Sequence, residues 1–214
     1  MSTGLIFTGG DFPSYDVFLS VMAMVNADNF FIVAADSGLE ICDSYGFVPD
    51  VIVGDMDSLS DVSLLDKFRT CEIYKYPQDK DYTDTELAIN IIREKNIKSF
   101  FIVGGGGGRV DQLLGIYSIF FRDFFPDLWI TGKEAVFSLN KGKYYFSFPV
   151  KSTVSFFPVC IQETLASTTG FKWPLDGLRW IPGDVGISNV VVETKQSVDV
   201  LSGRLLLVLN LFKV

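Results

Sequence analysis

Two groups of aspartates lie about two dozen residues apart, Gly54-Asp55-Met56-Asp57-Ser58 and Asp79-Lys80-Asp81-Tyr82-Thr83-Asp84. A glycine run from Gly104 to Gly108 follows and ends in Arg109-Val110-Asp111-Gln112. Carboxylates gathered at one place repel one another by roughly 4 kcal/mol per pair at ~4 Å and an effective dielectric near 20, so a fold that converges them normally sets a cation between them. Hard oxygen ligands select Mg2+ or a similar ion. With an arginine and glycine amides facing the same ion, such a site suits a polyphosphate held through metal, guanidinium and backbone N–H groups. That is the outline of a nucleotide-dependent transferase.

The composition narrows the chemistry further. The chain has no histidine. Imidazole is therefore excluded as base, metal ligand or pH switch, and with it a Ser-His-Asp triad and a mixed histidine-carboxylate metal site. Any proton acceptor must be a carboxylate or the substrate's own phosphate. A net charge of -8 argues against nucleic acid or an anionic membrane as partner, since both require a basic face. A neutral or cationic small substrate fits better. Cys42, Cys71 and Cys160 are odd in number and lack C-x-x-C spacing, which suggests neither a disulfide framework nor a zinc site and points to a reducing, cytoplasmic compartment. The N-terminal residues read as a first strand without a secretion signal. The apolar stretch Leu205 to Phe212 is far shorter than the ~20 residues of a membrane helix.

The elements that must position these residues are also visible. In the first half, Gly4 to Thr8, Phe30 to Ala35, Val51 to Val53, Glu72 to Tyr76 and Phe100 to Val103 read as strands, several buried on both faces. Helices are expected near 14–25, 38–45, 60–68, 84–95 and 110–122. Ser37-Gly38-Leu39-Glu40 and Thr83-Asp84-Thr85-Glu86 both spell a capping box. The alternation predicts an α/β domain with a mainly parallel sheet over residues 1–126. Over 127–214 the pattern changes to 129–131, 135–139, 143–148, 154–157, 190–193 and 204–208, all strand-like and punctuated by Gly, Pro, Asn and Asp. That half is expected to be an all-β sandwich or barrel.

Asp36, Asp55 with Asp57, and Arg109 with Asp111 each follow a predicted strand, and open α/β sheets bind ligands at those exits. An isolated Asp-x-Asp is usually a solvated turn or a helix cap, so the argument rests on several exits converging. The glycine run serves a tight turn, or lets the amides of Gly107 and Gly108 approach phosphate oxygens; it matches neither a P-loop nor a complete dinucleotide fingerprint. Lys80, Arg109 and Asp111 are equally open to being surface ion pairs. Trp173, beside Pro174, is either a core plug or a ring face for a flat or cationic ligand. Ser188 and Asn189 either shape a turn or hydrogen-bond the ligand.

Together these strings resemble the thiamine pyrophosphokinase family. The match runs through Ala35-Asp36-Ser37-Gly38, Pro49-Asp50, Gly54 to Ser58, Lys80 to Ala88, Gly107 to Gln112, Gly170-Phe171-Lys172-Trp173-Pro174-Leu175 and Ile187-Ser188-Asn189, in the family's order. The resemblance implies an α/β domain joined to a β-sandwich. It also implies a homodimer whose active sites lie between the α/β domain of one subunit and the β domain of the other. The implied activity is transfer of the pyrophosphoryl group of ATP to the hydroxyl of thiamine, with Mg2+, giving thiamine diphosphate and AMP. Carried over by motif, Asp55, Asp57 and Asp84 resemble metal ligands, with Asp81 as a fourth candidate ligand and catalytic residue. Asp36, Lys80, Thr83, Gly107, Gly108, Arg109, Asp111 and Gln112 fall to the nucleotide or the reacting groups, and Trp173, Ser188 and Asn189, with Asp111, to thiamine. Many relatives have His where Gln112 stands, Met56 replaces a commoner Phe, and 160–169 matches only loosely. A non-catalytic thiamine- or nucleotide-binding protein, or a pyrophosphokinase for another small alcohol, are the competing expectations.

Overall fold

The computed structural model describes residues 2–57, 59, 60 and 63–212. Ser58 of the first acidic motif, and Asp61 and Val62 of the helix expected at 60–68, lie outside them. The chain divides into two compact units: residues up to Leu113 together with Trp129–Gly132, and Leu114–Leu128 together with residues from Lys133 onward.

The first unit is built on strands β1 (Thr3–Thr8), β2 (Phe30–Ala35), β3 (Val51–Gly54), β4 (Glu72–Lys75), β5 (Phe100–Val103) and β6 (Leu128–Ile130) in the spatial order β6-β5-β1-β2-β3-β4. β5, β1, β2, β3 and β4 run parallel to their neighbours. Continuous apolar runs form the centre because helices cover both faces: Leu5, Ile6, Phe7, Val33, Ile52, Phe100 and Ile102 are fully buried. β4, at the edge, is exposed throughout. Helices α1 (Tyr15–Val25), α2 (Gly38–Tyr45), α3 (Leu64–Lys67), α4 (Asp84–Glu94) and α5 (Val110–Ile119) connect the strands. α4 buries Leu87, Ala88, Ile91 and Ile92, a helical-period stripe. No helix among the described residues is long and apolar enough to cross a membrane.

The two capping-box spellings have different fates. At Thr83 the box forms: Glu86 N donates to Thr83 Oγ1 at 3.3 Å, and Thr83 N donates to Glu86 Oε2 at 3.0 Å. At Ser37 it does not, because Ser37 already has helical angles and its side chain caps nothing. Glu40, the expected reciprocal partner, instead accepts from Ser60 N at 2.6 Å and Ser60 Oγ at 2.7 Å, across from another loop. A tertiary contact has outcompeted the local one.

The second unit contains β7 (Glu134–Leu139), β8 (Gly142–Phe146), β9 (Thr153–Pro158), β10 (Thr164–Thr169), β11 (Arg179–Trp180), β12 (Gly186–Val190), β13 (Gln196–Ser202) and β14 (Leu205–Asn210). They form two antiparallel groups, β12-β9-β14-β7 and β11-β10-β13-β8. Phe137 of β7 meets Phe146 and Phe148 at 5.8 and 5.9 Å between ring centroids, which brings the two groups together around a shared core. β10, β11 and β13 are not among the expected strands, and β12 sits a few residues before the expected 190–193. Polar residues share their inward positions with apolar ones: Thr164, Thr168 and Gln196 are buried beside Ala166, Trp180, Val198 and Val200. Each polar side chain is satisfied by backbone, for instance Phe148 N donating to Gln196 Oε1 at 2.8 Å and Leu175 N to Thr168 Oγ1 at 3.0 Å. The hydrophobic alternation that marks a strand is therefore interrupted there, surviving as Val198 and Val200 in β13.

Thr83→Ala is expected to destabilise the protein by about 1 kcal/mol, and Ser37→Ala by less than about 0.5 kcal/mol, because only the first removes a cap. Chemical denaturation of the two variants checks this.

Candidate active site

Three strand exits carry the acidic residues to one place. β2 ends into Asp36, which has a left-handed backbone (φ 50°) and continues the ladder by donating its amide to Val53 O at 2.9 Å. β3 ends at Gly54, whose φ of 144° suits glycine. A Cβ on Gly54 would stand 3.1 Å from Asp84 Oδ1 and 3.2 Å from Asp36 Cβ, so its absence leaves space between the two acids. The chain then turns tightly. Asp57 N donates to Asp55 Oδ1 at 3.1 Å, while Met56 between them is left-handed at φ 65° and buried. Non-glycine residues held at positive φ cost about 1–3 kcal/mol each and concentrate at functional sites.

From the other side, the segment after β4 is tied back by Tyr76 N donating to Gly54 O at 3.0 Å. Lys80 Nζ lies 3.3 Å from both Asp55 Oδ2 and Asp84 Oδ1. Asp84 opens α4, where the positive end of the helix dipole favours its charge. A buried hydrogen bond of 2.8 Å between Thr8 Oγ1 and Thr85 Oγ1 fixes that helix start to the end of β1. Gln78, absent from the expected set, donates its amide to Asp57 Oδ2. Its signal was only its place near a strand exit, without charge.

One carboxylate oxygen from each of Asp36, Asp55 and Asp57 lies within 4.8 Å of the others. Around an ion bonded at about 2.1 Å in octahedral geometry, ligand oxygens stand roughly 3–4 Å apart, so small side-chain rotations suffice to close on Mg2+. The donor set is hard oxygen, and the Lys80 ammonium lies against two of the four carboxylates here, Asp55 and Asp84. That excess of negative charge shows in the acidities. Burial, then Asp84 and Asp55, push the Asp36 carboxyl up to about 6. Burial also raises Asp84, with Lys80 opposing. Asp55 is held low, first by the Asp57 amide and also by Lys80. These residues fit a divalent cation.

Of the expected metal ligands, Asp55 and Asp57 belong to this group, Asp84 abuts it through Gly54 and Lys80, and Asp36, expected on the nucleotide side, is inside it. Asp81 is exposed and stands outside the group, and Thr83 Oγ1 is engaged in capping α4.

The glycine run forms a second feature of the first unit. Gly105 N donates to Gly9 O at 2.6 Å and Asp11 N to Gly106 O at 2.7 Å, while Trp129 Nε1 donates to Gly104 O at 2.8 Å. Gly107, at φ 66°, has no room for a Cβ, which would fall 2.2 Å from Asp11 Oδ2. β1 has β2 on one side and β5 on the other, so this loop lies at the switch point where α/β sheets take ligands. Arg109 forks onto Asp111, Nε to Oδ1 at 3.1 Å and an Nη to Oδ2 at 2.5 Å. Asp111 also accepts from Gln112 N at 3.0 Å, and Arg109 holds its carboxyl below the usual range. All three are exposed.

In the second unit, Trp173 is 52% exposed and carries Lys172 Nζ 4.5 Å from its ring centroid. Ser188, left-handed at φ 64°, is exposed, and its amide donates to Ser155 Oγ at 3.1 Å. Asn189 takes the first of its two expected uses, a contact with the chain itself. It is buried, its Oδ1 accepts from Trp173 N at 3.1 Å and Val190 N at 2.8 Å, and its Nδ2 donates to Trp173 O at 2.6 Å. Its amide faces protein backbone where the family resemblance implied a ligand.

The family model described as "Thiamin pyrophosphokinase, catalytic domain" matches residues 23–130, and "Thiamin pyrophosphokinase, vitamin B1 binding domain" matches 139–205. Thiamine pyrophosphokinase of Bacillus subtilis is 24% identical over 189 residues, covering 82% of this chain and 85% of that protein. Thiamine pyrophosphokinase 2 of Arabidopsis thaliana is 25% identical over 162 residues; the match takes in 69% of this chain and 60% of the plant protein. The crystal structure of the Bacillus subtilis thiamine pyrophosphokinase superposes with a TM-score of 0.77 at 21% identity, over 98% of this chain and 99% of that one. The yeast thiamin pyrophosphokinase structure gives 0.70 at 19% identity, over 100% and 87%.

The raised Asp36 carboxyl has a consequence for stability without metal. Its folded value, about 6, lies above the ordinary 3.8, so the folded state holds this proton more tightly than the unfolded chain. That contribution is fully present below the ordinary value and is lost as pH rises through the folded one. Metal-free Asp36→Asn is therefore expected to melt a few degrees above wild type at pH 7.5, with the gap narrowing towards pH 4.5. Thermal unfolding in chelator at both pH values checks it.

Proposed function

The chain belongs to the thiamin pyrophosphokinase family, and from that premise we propose that it transfers the pyrophosphoryl group of ATP to the hydroxyl of thiamine, releasing AMP and forming thiamine diphosphate. The observation that carries this reading is the meeting of Asp36, Asp55 and Asp57 within 4.8 Å at two parallel-strand exits. A protein that only binds a vitamin gains little from placing like charges so close.

In this reading Asp36, Asp55 and Asp57 hold Mg2+, with Asp84 beside them. The ion supplies neutralisation of charge on adjacent phosphates. Attack of the thiamine hydroxyl on the β-phosphorus forms one P–O bond and breaks the bond to the bridging oxygen that leaves with AMP. Such transfers need in-line positioning and charge stabilisation more than covalent help from the protein. Lys80, fixed between Asp55 and Asp84, aims its ammonium at the triphosphate. Gly107 and Gly108 offer amides to phosphate oxygens, with Thr83 and Gln112 beside the nucleotide. Asp111 holds the Arg109 fork extended and leaves its outer N–H groups for phosphate. A carboxyl held low by arginine is a weak base, so Asp111 orients Arg109, and Asp81 or the phosphate itself takes the hydroxyl proton. Trp173 stacks on thiamine and Ser188 offers it a hydroxyl. We further propose residues 1–126 as the nucleotide domain and 127–214 as the thiamine domain of a cytoplasmic homodimer with shared active sites.

Incubation with ATP, Mg2+ and thiamine should yield AMP and thiamine diphosphate in equal amounts. No turnover would leave a binding protein, and turnover only with another alcohol would reassign the acceptor. Asp55→Asn and Asp57→Asn should each lower AMP formation by more than about a hundredfold with the circular dichroism spectrum unchanged. Wild-type turnover in both would remove the metal role. Trp173→Ala should raise the thiamine KM by about 2- to 30-fold; a raised ATP KM alone would reassign that loop.

A further inference from the structure

We propose that Asn189 is a positioning residue for thiamine recognition that acts through Trp173 without touching the substrate. The inference rests on the reading of Trp173 as the stacking surface. A primary amide has two acceptor sites and two N–H donors. Asn189 uses both acceptor sites, on Trp173 N and Val190 N, and gives one donor to Trp173 O. At 5% exposure it has no route to a ligand.

The geometry shows why a side chain is needed there. Residues 170–172 zip onto 190–192 by backbone alone: Lys172 N donates to Val190 O at 2.8 Å, Val192 N donates to Gly170 O at 2.9 Å, and Phe171 bridges Val191. The ladder stops at Trp173, because Pro174 has no N–H to continue it. The register of β12 shifts between Gly186 and Asn189, with Ser188 left-handed inside the irregularity, and Asn189 turns inward where the backbone partner ends. Its amide then takes the place of the missing strand and grips both polar groups of the Trp173 peptide.

The grip has little use in the core. Trp173 is half exposed, whereas Trp129 and Trp180 are 7% and 8% exposed. A locked backbone under an exposed aromatic ring fits pre-organisation: the ordering that a ligand would otherwise impose is already made, which strengthens binding.

The test uses Asn189→Asp and Asn189→Ala in full-length protein. Asn189→Asp keeps the shape and both acceptors but turns an oxygen toward the Trp173 carbonyl, so it remains informative if the alanine variant fails to fold. It should raise the thiamine KM about tenfold, with a smaller change in kcat and in the ATP KM, and cause no further rise in a Trp173→Ala background. An equal rise in that background would mean direct contact with thiamine and would overturn the proposal. So would an unchanged thiamine KM in folded Asn189→Asp. Acrylamide quenching of tryptophan fluorescence decides the structural half without turnover, since Trp173 alone of the three tryptophans is exposed. Quenching should change in Asn189→Asp; an unchanged profile would count against the grip. If wild type has no activity with thiamine but quenching still responds, the functional reading fails while the positioning of Trp173 stands.

Discussion

The first unit is organised around a repulsion. Asp36, Asp55, Asp57 and Asp84 are drawn together, with the Lys80 ammonium against Asp55 and Asp84, an arrangement whose like charges oppose folding. The scaffold is rigid enough to bear it. β2 and β3 are buried strands of a parallel sheet, so their exits cannot drift apart. Gly54 leaves the space, Met56 anchors the turn by its burial, and the capped start of α4 is bolted to β1 through Thr8 and Thr85. Asp50, in the Pro49-Asp50 pair, turns out to serve the frame: its carboxylate accepts from Ile32 N at 2.7 Å and ties β2 to the start of β3. Stability spent on strained backbone and crowded carboxylates is thus concentrated where a charged ligand would return it.

In the second unit the recurring device is a polar side chain that completes a broken backbone ladder. Gln196 pairs with both polar groups of Phe148, with Phe148 N at 2.8 Å and Phe148 O at 3.3 Å, as Asn189 does with Trp173. Arg204 does the same for the chain after α5, donating to Phe120 O at 2.6 Å and Arg122 O at 3.2 Å while its guanidinium stacks 3.4 Å from the Phe125 centroid. Buried amides and a half-buried guanidinium are costly unless satisfied, and here each is satisfied by main chain. The unit is an apolar sandwich with polar locks at its irregular points.

These locks explain what was legible in the sequence. The parallel strands announced themselves as continuous apolar runs, and α4 as a periodic stripe behind a true capping box. The acidic motifs stood out because several of them follow predicted strands, although one Asp-x-Asp alone is more often a turn or a helix cap. β10 and β13 did not, since Thr164, Thr168 and Gln196 fill inward positions that apolar residues would mark. The Ser37 box failed because the competing partner, Ser60, is distant in the chain. For Asn189 the sequence leaves both a turn-shaping and a ligand-bonding use open, and residue type alone does not tell whether an amide faces ligand or backbone. Gln78 and Thr85 carried no charge to draw notice, and only the folded geometry joins Gln78 to Asp57 and Thr85 to Thr8.

The central claim is that these carboxylates share one divalent ion which carries the triphosphate. Crystals grown with Mn2+ and a non-hydrolysable ATP analogue, measured for manganese anomalous scattering, test it most directly. A peak is expected bonded to oxygens of Asp36, Asp55 and Asp57 and to the analogue's phosphates. A phosphate-bound manganese peak away from all three carboxylates would contradict it.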